Sequence, residues 1–553
     1  MFRTWLHTTL ESAYPGHAFD VLVPPDAKMG DYSVNLAFVV AKSLQKSPRD
    51  VAQAICDLLM AQGAEMIERC EVAGPGFVNV TLRDTWLQEQ FSHQKIRDVG
   101  HGARVILDCS APNIAKPMHV GHLRSTIIGD ALSRVYRALG YEAMRWNYIG
   151  DWGTQFGRLI AAFKKYNEPV ASVDDLVALY VRFHADMKED PSLEQLGRAE
   201  FKKLEDGDQE NRALWLRFRE LSMAEYQRTY ELLDVGFEVT KGESEYEAEL
   251  APLIERLQAA GIVHESEGAL VVNLDDEGLP VALVRKSDGA TLYLTRDVAS
   301  LEDRIATYAP AKALYVVANE QALHFEQFFA TTRKMGMAAL PELVHVKFGL
   351  VLGADGKKFS TREGNAVPLQ SIIDESISRA DAIVRAKNTS LTDEEVSRVA
   401  RAVGIGALKY NDLRQHPYSD IVFDWDSMLD MSGNSGPYLQ YTYARLRNIV
   451  ATVGVVGAAD RSLLVHPAER ALMRHLLDFE YAVQTCAEHH TLNALALYCY
   501  ELAVICNRFY EQVRINDDAS DERKSARILL VDEVTETLKQ GLEILGIQTP
   551  ERI

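Results

Sequence analysis

The chain has 553 residues, with 59 Lys and Arg against 79 Asp and Glu, a formal charge of −20 and 47% hydrophobic residues. This is ordinary globular usage with length for roughly three or four domains, and the acidic balance argues against a protein that coats nucleic acid nonspecifically while leaving room for a local basic face that docks one folded RNA. No apolar run approaches the ~20 residues of a membrane span, the first residues lack the apolar centre of a signal peptide, and six scattered cysteines form no C-x-x-C pair, so a cytoplasmic protein with reduced thiols and no membrane association is expected.

In the first hundred residues a helical start is followed by Val21–Asn35, helical patterns through Leu59 and a strand pair around Gly74-Pro-Gly76. A small α+β module is expected, with a turn at Gly30-Asp31 that Asp31 caps, and a boundary near His101-Gly102. Ala103–Asp108 then reads as a short buried strand. Downstream, Leu123, Ile127, Leu132, Val135 and Leu139 recur near helical spacing until Gly140. Strand, turn and helix make an anion site, because unpaired N–H groups at a helix start face an incoming phosphate and Gly121 lets it approach the backbone. Met144–Gly157 repeats the pattern as a strand that breaks into a glycine- and tryptophan-bearing loop. Such units predict a doubly wound parallel sheet whose ligands bind at the carboxyl ends of its strands.

Residues 163–240 read as a charged helical insertion, with Met223, Tyr226, Tyr230 and Leu233 as one apolar face and Glu205–Glu210 as solvated surface. The parallel sheet is expected to resume through Leu270–Leu274, Val281–Val284, Thr291–Thr295 and Ala313–Ala318, with a further apolar run at Val346–Val351. A basic, hydroxyl-rich loop, Gly353–Asn365, follows. Beyond Pro368 the chain is almost entirely helical.

By itself the His119-Val-Gly-His122 pattern is a common capped helix start. Placed between a strand and a helix, and followed more than two hundred residues later by Lys358-Phe-Ser-Thr-Arg362, it resembles the two signatures of class I aminoacyl-tRNA synthetases. Ser110–Asp130 and Gly150-Asp-Trp-Gly-Thr-Gln-Phe-Gly157 resemble the arginyl-tRNA synthetase family within that class. The likeness spans nearly the whole chain. Gly30-Asp-Tyr-Ser-Val-Asn35 and Ala73-Gly-Pro-Gly-Phe77 resemble the family's N-terminal domain, which holds the outer corner of the tRNA. Gly406–Tyr410, Gly436–Arg445 and Pro550–Ile553 resemble its helical anticodon-binding domain.

This resemblance implies a multidomain α/β protein: an α+β domain over 1–100, a Rossmann-like catalytic domain over 101–370 and an all-α anticodon-binding domain over 371–553. It implies ATP-dependent activation of L-arginine to arginyl-adenylate, with Mg²⁺ accompanying ATP, then transfer to the terminal ribose of arginine tRNA by a monomeric enzyme. His119, His122, Lys116, Lys358 and Arg362 are the implied catalytic set, and His119, Gly121, His122, Lys358 and Ser360 the ATP contacts. Thr361 stands where the class has a second lysine, so Lys116, Lys358 and Arg362 are the candidate replacement cations. Asp297 and Tyr293 are implied to hold the guanidinium, a planar fork best met by a carboxylate. Asn113, Gln321 and His122 would fix the backbone groups of arginine, with Asp108 where relatives often carry an acid. Tyr438, Gln440, Tyr441, Tyr443, Arg445 and Arg447 interleave aromatic and basic residues that could stack unpaired bases and pair with phosphates. No resident metal is implied. The alternatives are another class I synthetase, an H-x-G-H nucleotidyltransferase, or a non-catalytic tRNA-binding relative.

Overall fold

Val105, Ile106 and Leu107 are fully buried in the computed structural model, as expected of a strand covered on both faces. The structure describes residues 2–92, 95–287, 289, 291–353, 356, 367–454, 458–515 and 518–553. It divides into two compact units, one of residues 98–429 and the other of 1–97 with 430–553.

In the unit of residues 98–429, Arg104–Asp108 is the middle strand of a five-stranded sheet. Lys312–Ala318 and then Glu342–Phe348 lie on one side, Glu142–Ile149 and then Val239–Gly242 on the other, and every pairing is parallel. The winding direction therefore reverses between Arg104–Asp108 and Lys312–Ala318, which opens a crevice at their carboxyl ends. The helix Val120–Ala138 buries Leu123, Ile127, Leu132 and Val135, and Gly140 at φ +86° lets the chain turn back toward the sheet. Its packing on the strand end is close, since a Cβ at Gly129 would lie 2.4 Å from Cys109 Sγ. The insertion is built mainly from the helices Val173–Glu189, Ser192–Glu205 and Gln209–Leu233.

Two expectations for the sheet are corrected. Residues 270–274 and 281–284 do not join the parallel sheet: Ala269–Val272 and Ala282–Arg285 belong to a separate three-stranded antiparallel sheet with Val263–Ser266. The cause is local. Glu267 and Gly268 both have positive φ, +50° and +78°, the geometry of a two-residue hairpin turn, which forces neighbouring strands antiparallel. Residues 291–295 form no strand either, because Tyr293 opens a helix to Tyr308 that buries Leu294, Val298 and Leu301 on one face. The run at 346–351 is placed within and just beyond the strand Glu342–Phe348.

The helices Leu369–Lys387 and Asp393–Leu413 pack on the signature helix, within residues 98–429. The division between units therefore falls at 429/430 rather than near 370. A buried ion pair explains part of this placement: Arg124 donates to Asp412 at 2.9 and 3.3 Å and to the Gly349 carbonyl at 2.7 Å.

In the other unit, a four-stranded antiparallel sheet carries the N-terminal helices. Arg470 of the helix Pro467–Leu476 meets the buried Asp31 through two bonds of 2.6 and 2.8 Å, and Tyr32 donates to Asp478 at 2.8 Å. Asp31 also accepts from the Leu82 amide at 2.7 Å. Its role is thus wider than capping a turn.

Candidate active site

The loop after Arg104–Asp108 is held in an unusual backbone path. Ser110, Ala111 and Ala115 all have positive φ, at +72°, +47° and +62°, a conformation that costs ~1–3 kcal/mol per non-glycine residue and survives only where its surroundings impose it. Ser125 Oγ accepts from the Ser110 amide at 2.8 Å and donates to the Val316 carbonyl at 2.7 Å, which ties the loop to both strands flanking the crevice. Backbone bonds of 3.1 Å between Pro112 and Gly150, and between Ile114 and Gly150, join it to the second glycine-bearing loop. The approach is tight, because a Cβ at Gly150 would stand 2.0 Å from Asn113 Oδ1.

At the helix start the two histidines interlock. His119 Nδ1 accepts from the Gly121 amide at 3.1 Å, and His122 Nδ1 accepts from the His119 amide at 3.0 Å. Two of the amides expected to face an anion, those of Gly121 and His122, are thus already engaged by His119. Acceptance at Nδ1 leaves Nε2 of each ring to carry its proton, and the ring centroids are 4.0 Å apart. Burial, reinforced by the adjacent His119, pushes His122 down to about 3, so it is a neutral donor at working pH.

A cavity of about 390 Å³ opens here. It is lined by Asn113, His119, Gly121 and His122 from one side of the crevice and by Gln321 from the other. These five expected site residues are therefore brought together. Lys116 is an exposed residue on the same loop. Lys358, Ser360, Thr361 and Arg362 lie outside the described residues.

The expected arginine-binding residues Asp108, Tyr293 and Asp297 do not line this cavity. Asp108 is buried, and its Oδ2 takes a 2.5 Å bond from the buried Arg304. Burial raises its carboxyl above the ordinary range against the pull of Arg304, with Asp297 adding to the rise. Tyr293 and Asp297 sit one helical turn apart at the start of Tyr293–Tyr308, and the Tyr293 side chain is exposed. Asp297 Oδ2 lies 2.6 Å from His324 Nε2.

Two groups absent from the sequence expectations belong with Asp297. Glu243, just past the edge strand Val239–Gly242, has its carboxyl pushed up to about 8 by burial, opposed by Arg296 and reinforced by Asp297. The Tyr148 hydroxyl, from the neighbouring strand, is buried with no partner among the described residues and feels both Asp297 and Glu243. Two acidic groups and a phenol that sense one another's charge in this way suit a cation with several donors. The signal available in the sequence was the position of Glu243 at the carboxyl end of a strand, but that four-residue strand is too short and polar to recognise.

In the helix Gly436–Val453, Tyr441 and Arg445 are exposed, and Arg445 covers the Tyr510 ring at 4.4 Å. Tyr438 is half-buried and accepts from Asn507 at 2.8 Å. Arg447 faces Asp532 and Glu536. Gln440 is buried and donates to the Gln548 carbonyl at 2.8 Å, and Tyr443 is buried too, so the helical period turns both inward and neither presents an RNA-facing side chain.

Comparison with known proteins covers the whole chain. Residues 86–425 match the family described as tRNA synthetases class I (R), catalytic domain; 439–553 match the DALR anticodon binding domain; and 2–82 match the arginyl tRNA synthetase N terminal domain. The arginine–tRNA ligase of Chloroflexus aggregans is 41% identical over 545 residues, 97% of this chain and 89% of that protein. That of Fusobacterium nucleatum is 39% identical over 543 residues, covering 96% and 94%. The arginyl-tRNA synthetase of Thermus thermophilus superimposes with a TM-score of 0.85 at 28% identity, covering 100% of this chain and 99% of that one.

Proposed function

Because the chain belongs to the arginyl-tRNA synthetases of class I and is an arginine–tRNA ligase, we propose a specific division of labour among the residues of its crevice. The observation that carries it is the cavity that brings Asn113, His119, His122 and Gln321 together at the strand ends, with Asp297 held by His324 at the start of the helix Tyr293–Tyr308.

MgATP lies in the cavity with its α-phosphate against His119 and His122. The arginine carboxylate attacks that phosphorus, and charge builds on the phosphoryl oxygens as the bond to pyrophosphate breaks. A neutral His122 donates from Nε2 without first losing a proton, and a site whose donors are already aligned needs little reorganisation in the transition state. Lys116 supplies positive charge that Thr361 does not, with Lys358 and Arg362 as further cations. Asn113 and Gln321 hold the backbone end of arginine from opposite walls, and Asp108, buried against Arg304, acts on its amine from behind them rather than by direct contact. Asp297, Glu243, Tyr148 and Tyr293 take the guanidinium. In the second step a terminal ribose hydroxyl of arginine tRNA attacks the mixed anhydride and releases AMP.

The exposed Tyr441 and Arg445, with Tyr438 beside them, receive anticodon bases, and the enzyme acts as a cytoplasmic monomer. The test is a charging assay with each of the twenty amino acids and purified arginine tRNA: arginine-dependent charging is expected, and its absence overturns the proposal.

A further inference from the structure

The loop that carries Asn113 and Lys116 is gripped from behind by the insertion. Three polar side chains one turn apart on the helix Gln209–Leu233 reach it in succession. Ser222 Oγ accepts from the Ala115 amide at 2.9 Å, and the Tyr226 hydroxyl lies 2.7 Å from the carbonyl oxygens of both Asn113 and Lys116. The Tyr230 hydroxyl lies 2.8 Å from Ser110 Oγ and takes a 3.1 Å bond from Asn147. These contacts meet the positive-φ residues Ser110 and Ala115 and the turn between Asn113 and Lys116. Packing does not replace them everywhere. Next to the turn, Pro117 and Met118 border a cavity of about 610 Å³ among the described residues, shared with Glu225, Arg228 and Pro368.

We infer that Tyr226 is a positioning residue for arginine activation: its hydroxyl closes the Asn113–Lys116 turn and so sets the direction of the Lys116 side chain toward the reacting phosphate. The Tyr226 ring is fully buried while its single proton is shared by two carbonyls. Removing the oxygen alone therefore keeps the packing and frees both carbonyls at once. Ser222 holds the middle of the same turn from the preceding helical turn. What the sequence presents as an apolar stripe is, at Tyr226 and Tyr230, a row of hydroxyls aimed at the catalytic loop.

This inference rests on the role proposed for Lys116, and a double-mutant cycle separates the two. Tyr226→Phe, Lys116→Met and the double variant are assayed for arginylation with arginine tRNA present, with thermal melting as a check on folding. Tyr226→Phe is expected to lower kcat at least about tenfold in the wild-type background and less than about threefold in the Lys116→Met background, because its effect passes through that lysine. An equal loss in both backgrounds, or a kcat for Tyr226→Phe close to wild type, overturns the inference. Tyr166→Phe, which removes a hydroxyl bonded to Asp186 elsewhere in the same unit, serves as the control and is expected to retain wild-type kcat. Should Lys116→Met itself turn over normally, the Lys116 role fails, and the same cycle with Asn113→Ala, read in KM for arginine, decides the inference instead. If Tyr226→Phe does not fold, Ser222→Ala enters the cycle in its place under the same criteria.

Discussion

Replacing Asp297 with Asn tests the guanidinium pocket at its centre. The substitution keeps the side-chain volume, removes one negative charge and puts an amide N–H₂ where a substrate N–H would point. His324 already holds Oδ2 at 2.6 Å, so the carboxylate is oriented before arginine arrives, and the ordering cost of the contact is small. Opposite unit charges ~4 Å apart at an effective dielectric of ~20 attract by ~4 kcal/mol, and truncating one partner of an enclosed charge pair costs ~2–5 kcal/mol. Glu243 keeps part of the attraction in the variant, which places the expected loss near 3 kcal/mol, about two decades in kcat/KM at ~1.4 kcal/mol per decade. The assay is kcat/KM for arginine with saturating ATP and tRNA, run beside citrulline, whose neutral urea group an amide can match. The arginine-to-citrulline ratio is expected to collapse with the rate. A variant that keeps kcat/KM within about tenfold and its preference for arginine would refute the placement of the guanidinium at Asp297.

Glu243 gives a proton-linkage test. With its carboxyl raised to about 8, it is mostly protonated in the free enzyme at pH 7, and a bound guanidinium favours the charged form. Arginine binding at pH 7 is therefore expected to release up to about one proton and to tighten as pH rises toward 8, then level off. Calorimetry in buffers of different ionisation enthalpy measures the release; none in wild type, or an unchanged release in Glu243→Gln, contradicts it. Lys116→Met is expected to lower kcat by about a hundredfold or more with KM for arginine nearly constant, as for a group used only in the transition state; a change in KM alone would reassign the residue to binding. Asp412→Ala leaves Arg124 buried and unpaired, at an expected cost of ~3–5 kcal/mol, while Arg124→Met with Asp412→Leu recovers most of it. Denaturant midpoints of wild type, Asp412→Ala and the double variant decide the point, and an Asp412→Ala protein as stable as wild type removes the ion pair from the account.

The signature loop and helix were legible because they combine a short apolar strand with a clean helical period, and that period survives in the buried Leu123, Ile127, Leu132 and Val135. The hairpin at Glu267-Gly268 was not, because apolar runs of four or five residues look alike in a parallel sheet and in an antiparallel one, and only the turn distinguishes them. Helix content beyond Pro368 was clear from composition, but the unit those helices join depends on partners such as Arg124 and Asp412, 288 positions apart. Within the site, Asn113, His119, Gly121, His122 and Gln321 line one cavity. Gln440 shows the opposite limit: polarity suggested a surface residue, and the side chain is instead buried and donates to the Gln548 carbonyl. The hydroxyls of Tyr226 and Tyr230 were hidden because a tyrosine at core spacing does not reveal where its oxygen finds a partner.

The bond between Asp31 and Arg470 has a consequence in time. During synthesis at roughly 5–20 residues per second, Arg470 is added about 20–90 s after Asp31. Through that interval the N-terminal sheet exposes a carboxylate it will later bury, and Tyr32 lacks Asp478. Residues 98–429 emerge meanwhile and form a unit of their own. The unit of residues 1–97 and 430–553 is thus finished after that of 98–429, and a chain that stops at 429 would leave Asp31 and Tyr32 of the N-terminal sheet without their partners, for chaperones and proteases to find.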